Sequence, residues 1–116
     1  MAKKVLVVED LPEVRTLLRE AILEPLGFEV LDAETVKEAW ALFQTHRNDL
    51  AGILMDGELP EFTDELIRKI KGLGFGPIIA ISGRRNPELL AAGCDDAVEK
   101  SRGIGAIEHM VVKWFR

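Results

Sequence analysis

LAGILMD, residues 50–56, is an apolar run without polar alternation that ends on the carboxylate Asp56. An unbroken apolar run is typical of a strand that is covered on both faces. Residues 5–8, VLVV, show the same pattern and are followed at once by Glu9 and Asp10. The two runs therefore predict a parallel sheet with helices packed on both sides.

Apolar runs alternate with amphipathic segments along the whole chain. Strands are predicted at residues 5–8, 28–31, 50–55, 77–81 and 96–99. Each is followed by a segment whose apolar residues have helical spacing, which gives five β/α units in succession. Because crossovers between parallel strands are right-handed, we expect a doubly wound sheet of order 2-1-3-4-5. The sequence thus predicts one α/β domain over residues 1–116, with strands 1 and 3 as neighbours.

Capping and breaking residues mark the helix ends. The first helix should stop at residues 25–27, which contain a proline and a glycine. Thr35 and Glu38 form a capping-box pattern, and Thr63 opens the third helix. The predicted inward faces are Val14, Leu17, Leu18, Ala21 and Ile22 in helix 1, and Ile104, Ile107, Val111 and Trp114 in helix 5. We expect Trp114 in the core, and the pattern does not decide the environment of Phe115.

In a sheet of this order, ligands bind outside the carboxyl ends of the strands, beside the switch point. Four of the five predicted strands have, at their carboxyl ends, residues that can bind a metal ion or take part in a reaction. These residues are Glu9 and Asp10, Asp56, Ser82 and Lys100. Strand 2 is the exception, and it lies at the outer edge of the predicted sheet. The sequence therefore predicts a functional site at the carboxyl ends of strands 1, 3, 4 and 5.

Three carboxylates within a few ångströms repel one another, and partial burial makes each charge harder to keep. Lys100 offsets one negative charge, and a hard divalent cation would offset most of the rest. The candidate ligands are all oxygens, which suits Mg²⁺ with retained waters better than zinc. We expect Asp10 and Asp56 to bind Mg²⁺ directly and Glu9 to act through a water.

A carboxylate can also act as a nucleophile and hold a phosphoryl group as a mixed anhydride. Phosphoryl transfer mainly needs positioning and neutralisation of charge on the equatorial oxygens. Mg²⁺, the Lys100 ammonium and the Ser82 hydroxyl would supply one partner for each oxygen. Asp56 lies on the central strand of the set and is the predicted phosphoacceptor.

Each of these groups also has a structural interpretation. An Asp at a strand-to-helix turn is often a cap, and Ser82 or Lys100 alone would be a turn hydroxyl or a solvated lysine. Their joint occurrence at one sheet edge favours the functional interpretation. Cys94 is interpreted as a small buried apolar residue.

Four segments resemble the receiver domains of response regulators, in order and at fitting spacing: LVVEDLPEVRTLLREAI, DLAGILMDGELP, PIIAISG and AGCDDAVEKS. The resemblance covers the whole chain and implies the flavodoxin-like receiver fold, with Mg²⁺ as cofactor and no enzymatic activity beyond the domain's own phosphorylation and dephosphorylation. It implies the following site: Glu9 and Asp10 as the acidic pair, Asp56 as phosphoacceptor, Ser82 as switch hydroxyl, Lys100 as the family's lysine, and the Glu58 backbone carbonyl as a further metal ligand.

The resemblance also implies partners. A phosphohistidine on a histidine kinase or histidine phosphotransfer protein donates the group, and phosphorylation remodels the surface around helix 4, strand 5 and helix 5. Output would then be by contact with a downstream protein or by formation of a homodimer.

The sequence departs from the family at four points. Ala97 occupies the position of the usual aromatic switch residue, and Ser101 that of the proline after the lysine. Residues 60–64 lack the usual glycine before helix 3. The interval from Ser82 to Lys100 is shorter by about one helical turn, which should truncate helix 4. These departures leave the phosphorylation chemistry intact and affect the output mechanism.

Three other functions remain to be distinguished. A pseudo-receiver would bind partners without phosphorylation, and Ala97 is compatible with that. A haloacid-dehalogenase-like phosphatase would use Asp56 and Glu58, but too little chain follows to supply its later acids. A flavin carrier with this sheet order needs a Gly/Ser/Thr-rich phosphate loop, where this chain has residues 11–13, LPE.

Composition narrows the class of partner. The net charge is −5, with 47% apolar residues, and the basic pair Arg84-Arg85 is too short to form a patch. Nucleic-acid binding needs clustered Lys and Arg, so no nucleic-acid partner is expected. With Cys94 as the only cysteine, no internal disulfide can form. The apolar run at residues 5–8 is too short for a signal peptide or a membrane helix, and we therefore expect a cytoplasmic protein with no membrane contact.

Overall fold

The computed structural model describes residues 3–116, which contain one five-stranded sheet flanked by helices. The strands are β1 (Lys4–Val8), β2 (Glu29–Ala33), β3 (Leu50–Asp56), β4 (Ile78–Ser82) and β5 (Asp96–Glu99). Neighbouring strands are parallel and follow the order β2-β1-β3-β4-β5. The predicted fold class and strand order are confirmed, with β1 beside β3.

Within residues 3–116, five helices follow the strands in turn. They are α1 (Pro12–Leu17), continued by π-helical winding over Leu18–Leu23, α2 (Val36–His46), α3 (Asp64–Gly72), α4 (Asn86–Ala92) and α5 (Ile104–Phe115). Single 3-10 turns lie at Arg47–Asp49 and Lys100–Arg102. Helix α4 has only seven residues, as the shortened interval predicted. None of the helices in this part of the chain is both long and apolar enough to cross a membrane.

The sheet has a buried core on each face, which explains its unbroken apolar strands. Successive side chains of a strand point to opposite faces. Under α2, α3 and α4 lie Leu6, Val8, Ile53, Met55, Ile78 and Ala80. Under α1 and α5 lie Val5, Val7, Leu54, Ile79 and Ile81. The free Cys94 is buried in the first of these cores, as expected.

Four strands differ from their predicted bounds by one or two residues at an end. Strand β2 starts at Glu29 rather than Phe28 because the Phe28 N–H donates to the Leu23 carbonyl at 3.0 Å and so belongs to the turn after α1. Strand β4 starts after Pro77, whose carbonyl still accepts from the Ile53 N–H at 3.1 Å. Proline has no N–H to donate to the ladder.

The predicted inward face of α1 is partly wrong. Leu17 and Ala21 are exposed, and the buried residues are Leu18, Ile22 and Leu23. The wider winding is the reason: the Glu24 N–H donates to the Arg19 carbonyl, five residues back, at 2.8 Å. Each wide turn rotates the buried face onward relative to the 3.6-residue period.

The predicted inward face of α5 is also partly wrong. Trp114 is only half-buried, and its Nε1–H donates to Asp96 at 2.9 Å. Phe115 is buried instead, and its ring lies against Gly52 of β3. The indole needs an acceptor, which Asp96 supplies at the sheet edge, whereas a phenyl ring has no polar atom to satisfy. Ile104, at the start of the helix, is exposed.

Thr35 and Glu38 cap α2 as predicted, but the Glu38 carboxylate binds the N–H of the residue before the N-cap rather than that of the N-cap itself. Thr35 Oγ1 accepts from the Glu38 N–H at 3.1 Å, and the Glu38 carboxylate accepts from the Glu34 N–H at 3.3 Å. Thr63 precedes α3 as predicted, but its side chain makes no capping hydrogen bond and is buried instead. Helix α4 ends before Gly93, whose φ of 127° favours glycine.

We predict that Gly52→Ala destabilises the protein by about 1–3 kcal/mol, because the new methyl group overlaps the Phe115 ring in a close-packed core. Gly105→Ala in α5 is the matched control, since nothing lies near that position. It should raise stability by up to about 0.5–1 kcal/mol through helix propensity. Urea unfolding measures both, and equal effects would contradict the packing of Phe115 on β3.

Candidate functional site

The carboxyl ends of four strands bring the predicted site residues to one edge of the sheet. Glu9 and Asp10 directly follow β1, and Asp56 is the last residue of β3. Ser82 ends β4, and Lys100 follows β5. Glu9, Asp10 and Asp56 each offer a carboxylate oxygen, and these oxygens lie within 4.8 Å of one another. The sequence therefore placed this cluster correctly.

Lys100 reaches this cluster across an intervening strand. Strand β4 lies between β3 and β5, so the two strands are about 10 Å apart. Asp56 is level with Ile81, which is level with Val98, two residues before Lys100. Only a long side chain can span that gap. The Lys100 Nζ lies 3.0 Å from Asp56 Oδ1 and 3.3 Å from Glu9 Oε1.

The two carboxylates that Lys100 contacts are almost fully buried. The Asp56 side chain is 3% exposed and that of Glu9 is 2% exposed. Burial lowers the local dielectric and makes unpaired charge costly. The ammonium of Lys100 balances one of the two negative charges, so the cluster retains an excess of negative charge.

The two oxygens of Asp56 have different surroundings. Oδ1 accepts from the Glu58 backbone N–H at 2.9 Å and pairs with Lys100. Oδ2 is buried and has no hydrogen-bond partner among residues 3–116. A buried acceptor without a partner costs about 1–3 kcal/mol. Asp56 Oδ2 lies beside two further carboxylates and has no donor within the described residues. It is therefore suited to bind a hard cation or to act as a nucleophile.

The excess of negative charge in this cluster affects the pKa of Glu9. Burial, followed by the neighbouring Asp56 carboxylate, raises the Glu9 pKa to about 8, although Lys100 and the Leu11 N–H act in the opposite direction. Burial alone would lower the Lys100 pKa, but hydrogen bonds and charges from Asp56 and Glu9 raise it overall. Lys100 is therefore a cation at neutral pH, and the raised Glu9 pKa favours the protonated form of Glu9 when no metal ion is bound.

Ser82 already has a structural role in the described conformation. It is fully buried, and its Oγ accepts from the backbone N–H groups of Arg84 at 3.3 Å and Arg85 at 3.0 Å. Ser82 therefore stabilises the turn after β4, in agreement with its structural interpretation as a turn hydroxyl. A Cβ added to Gly57, which follows Asp56, would lie 3.2 Å from Ser82 Oγ. The hydroxyl is thus next to the backbone that follows the aspartate, and it still has a hydrogen to donate.

The Glu58 side chain is a contact that the sequence interpretation missed. The prediction concerned only its backbone carbonyl as a metal ligand. In the structure, Glu58 Oε2 lies 3.6 Å from Lys100 Nζ. Its position two residues after Asp56, in the turn whose N–H binds that carboxylate, was the only available signal.

Arg85 is a second residue that the sequence did not single out. Its guanidinium donates to Asp64 at 2.8 Å and lies over the ring of Phe62, 5.1 Å from the centroid. Phe62 itself is largely exposed. Arg85 therefore ties the loop after β3 to the loop after β4, the two loops that border the site.

Ala97 borders an open groove rather than an aromatic side chain. The groove has a volume of about 460 Å³ and lies between α4, β5 and α5, with Asn86, His109 and Met110 along its walls. His109 is exposed there.

The response regulator receiver domain family matches this chain over residues 5–112. No curated protein sequence matches it. Among solved structures, the BeF3-activated N-terminal receiver domain of RstA from Klebsiella pneumoniae is similar, with a TM-score of 0.85 and 24% identity over 98% of this chain and 99% of that one. A chemotaxis protein of Vibrio cholerae has a TM-score of 0.84 and 23% identity over 98% and 99% of the two chains. At these identities the similarity concerns the fold.

A third solved structure is the receiver domain of a sensor histidine kinase from Pseudomonas aeruginosa. It has 27% identity and a TM-score of 0.81 over 99% of this chain and 98% of that one. That structure has a magnesium ion coordinated in its active-site cleft.

We predict that stability in EDTA falls as pH rises from about 4.5 to about 8. Glu9 binds a proton in the folded protein over this interval and not in the unfolded chain, so its raised pKa favours folding at low pH. The loss should be about 1–3 kcal/mol, given about 1.4 kcal/mol per pKa unit and partial relaxation of the site. Glu9→Gln should remove most of this slope.

The control is Glu13→Gln, which changes an exposed acid in α1. It should keep the wild-type slope in urea unfolding at each pH. A slope that survives in Glu9→Gln would contradict the assignment to Glu9.

Proposed function

This chain belongs to the response regulator receiver domain family of two-component systems, and we propose that it accepts a phosphoryl group on Asp56. The main support for this proposal is that the two oxygens of the Asp56 carboxylate have different surroundings. One oxygen is held by Lys100 and the Glu58 N–H, whereas the buried Oδ2 has no partner in the described part of the chain. We infer that the domain spans residues 1–116.

The chemistry follows from that asymmetry. Asp56 Oδ2 attacks phosphorus and forms the new P–O bond, while the P–N bond of a donor phosphohistidine breaks and its electron pair stays on the imidazole. Lys100 keeps Asp56 Oδ1 in place and neutralises charge on one phosphoryl oxygen. The Ser82 hydroxyl donates to another. The resulting acyl phosphate is later hydrolysed at phosphorus, which returns the free carboxylate.

The residues present fit a magnesium ion. Asp10 and Asp56 would hold it directly, with Glu9 through water and the Glu58 carbonyl as a further ligand, because oxygen donors suit this hard cation. When bound, Mg²⁺ would neutralise charge on the transferring group. The likeness to a receiver domain with magnesium in its cleft supports this choice.

The proposed donor is a histidine kinase or a histidine phosphotransfer protein, and output would be by contact with a downstream protein or a second copy. The proposed location is the cytoplasm. No separate enzymatic activity is proposed. The groove beside Ala97 keeps a pseudo-receiver as the second candidate, because the usual aromatic side chain is missing from β5.

We predict that incubation with Mg²⁺ and acetyl phosphate adds one phosphoryl group to the intact protein, as seen by mass spectrometry. Asp56→Asn should abolish the adduct because the amide is not a nucleophile. Asp49→Asn is the matched control, since Asp49 precedes the same strand at the opposite edge of the sheet. It should retain the adduct.

Absence of an adduct with any donor would favour the pseudo-receiver. Steady turnover of a phosphomonoester would instead favour a haloacid-dehalogenase-like phosphatase.

A further inference from the structure

The guanidinium of Arg15 contacts the main chain of the acidic pair that follows β1. Its Nη1 donates to the Glu9 carbonyl at 2.9 Å and to the Asp10 carbonyl at 3.4 Å. Its Nη2 donates to the Glu34 carboxylate at 2.9 Å. The Arg15 side chain is only 13% exposed. Arg15 therefore links the loop after β1 to the loop after β2.

The place of Arg15 in α1 explains how its side chain reaches this loop. Helix α1 starts at Pro12, and the Arg15 N–H donates to the Leu11 carbonyl at 3.0 Å. Side chains on a helix point back toward its N-terminus. A long side chain at the fourth helical position therefore extends over the first turn to the residues that precede the helix.

Asp10 depends on its main chain for its orientation. Lys100 holds the carboxylates of Glu9 and Asp56 directly. Within residues 3–116, the Asp10 carboxylate forms no ion pair or hydrogen bond, although one of its oxygens lies within 4.8 Å of the other two acids. The Glu9 carbonyl belongs to the peptide group before the Asp10 Cα, and the Asp10 carbonyl belongs to the one after it. Arg15 binds both.

We propose that Arg15 is a positioning residue for magnesium: it fixes the peptide groups on both sides of Asp10 and so orients the Asp10 carboxylate for the cation. This inference rests on the magnesium site proposed above. A guanidinium has donors but no acceptor, so Arg15 acts through the main chain and is not itself a metal ligand.

The charge and the position of Arg15 predict opposite effects on Mg²⁺ binding. A cation beside an acidic cluster repels a second cation, so removal of the Arg15 charge alone would strengthen Mg²⁺ binding. Loss of its hold on the two peptide groups would weaken binding, because removal of a group that orients metal ligands typically costs about 10–100-fold in affinity. The direction of the change therefore distinguishes positioning from charge.

The test is an NMR titration of the isotope-labelled full chain with MgCl2, followed through its amide chemical shifts. Arg15→Met should bind Mg²⁺ about tenfold more weakly than wild type, since methionine keeps an apolar stem and has no donor. Arg15→Lys keeps the charge without the planar fork of donors, and it should lose about threefold. The amide spectrum also shows whether each variant is folded.

The matched control is Arg19→Met, four residues further along the chain. Arg19 pairs with Asp32 of β2 rather than with the loop after β1. The control removes the same charge and also breaks an ion pair to β2, but it leaves the two peptide groups bound to Arg15. It should bind Mg²⁺ as tightly as wild type or slightly more tightly.

The outcomes separate this inference from the proposed metal site. A wild type that binds Mg²⁺, with Arg15→Met binding equally well or better, overturns the inference alone, and so does an equal loss in Arg19→Met. If Arg15→Met does not fold, Arg15→Lys decides, and wild-type affinity in that variant overturns the inference. A wild type that binds no Mg²⁺ overturns both the metal site and the inference.

Discussion

One ammonium group makes the acidic edge of this sheet possible. Burial of a carboxylate costs several kcal/mol unless a cation and hydrogen bonds compensate. Lys100 contacts both Glu9 and Asp56, yet it balances only one of their charges. The remaining excess shows in the raised Glu9 pKa and in the orphan oxygen of Asp56. The charge of this site therefore favours binding of a second cation. The sheet order holds the acidic side chains together.

The sheet order and the side-chain lengths depend on each other. Strands β1 and β3 are neighbours, so short acidic side chains at their ends can meet directly. Strand β5 is one strand further away, and only a side chain as long as that of Lys100 reaches back over β4. The choice of a lysine rather than a shorter polar residue at this position therefore follows from topology as well as from charge.

The sequence predicted those features whose signals are local. Unbroken apolar runs identified the strands, and polar residues at their ends identified the site edge. Other features depend on which groups meet in three dimensions. Leu23 is buried because of wide helical winding, and Phe115 is buried because Gly52 leaves room for its ring. The contact of the Glu58 side chain with Lys100 likewise depends on a turn conformation that composition does not reveal.

The residue after Asp56 has no side chain, and Leu89 of α4 fills the space that one would occupy. Leu89 is also one of only two buried residues in that short helix. The helix therefore rests directly on the main chain of the acidic loop. A shift of that main chain would therefore press on α4 by steric contact, without any need for an aromatic ring at residue 97.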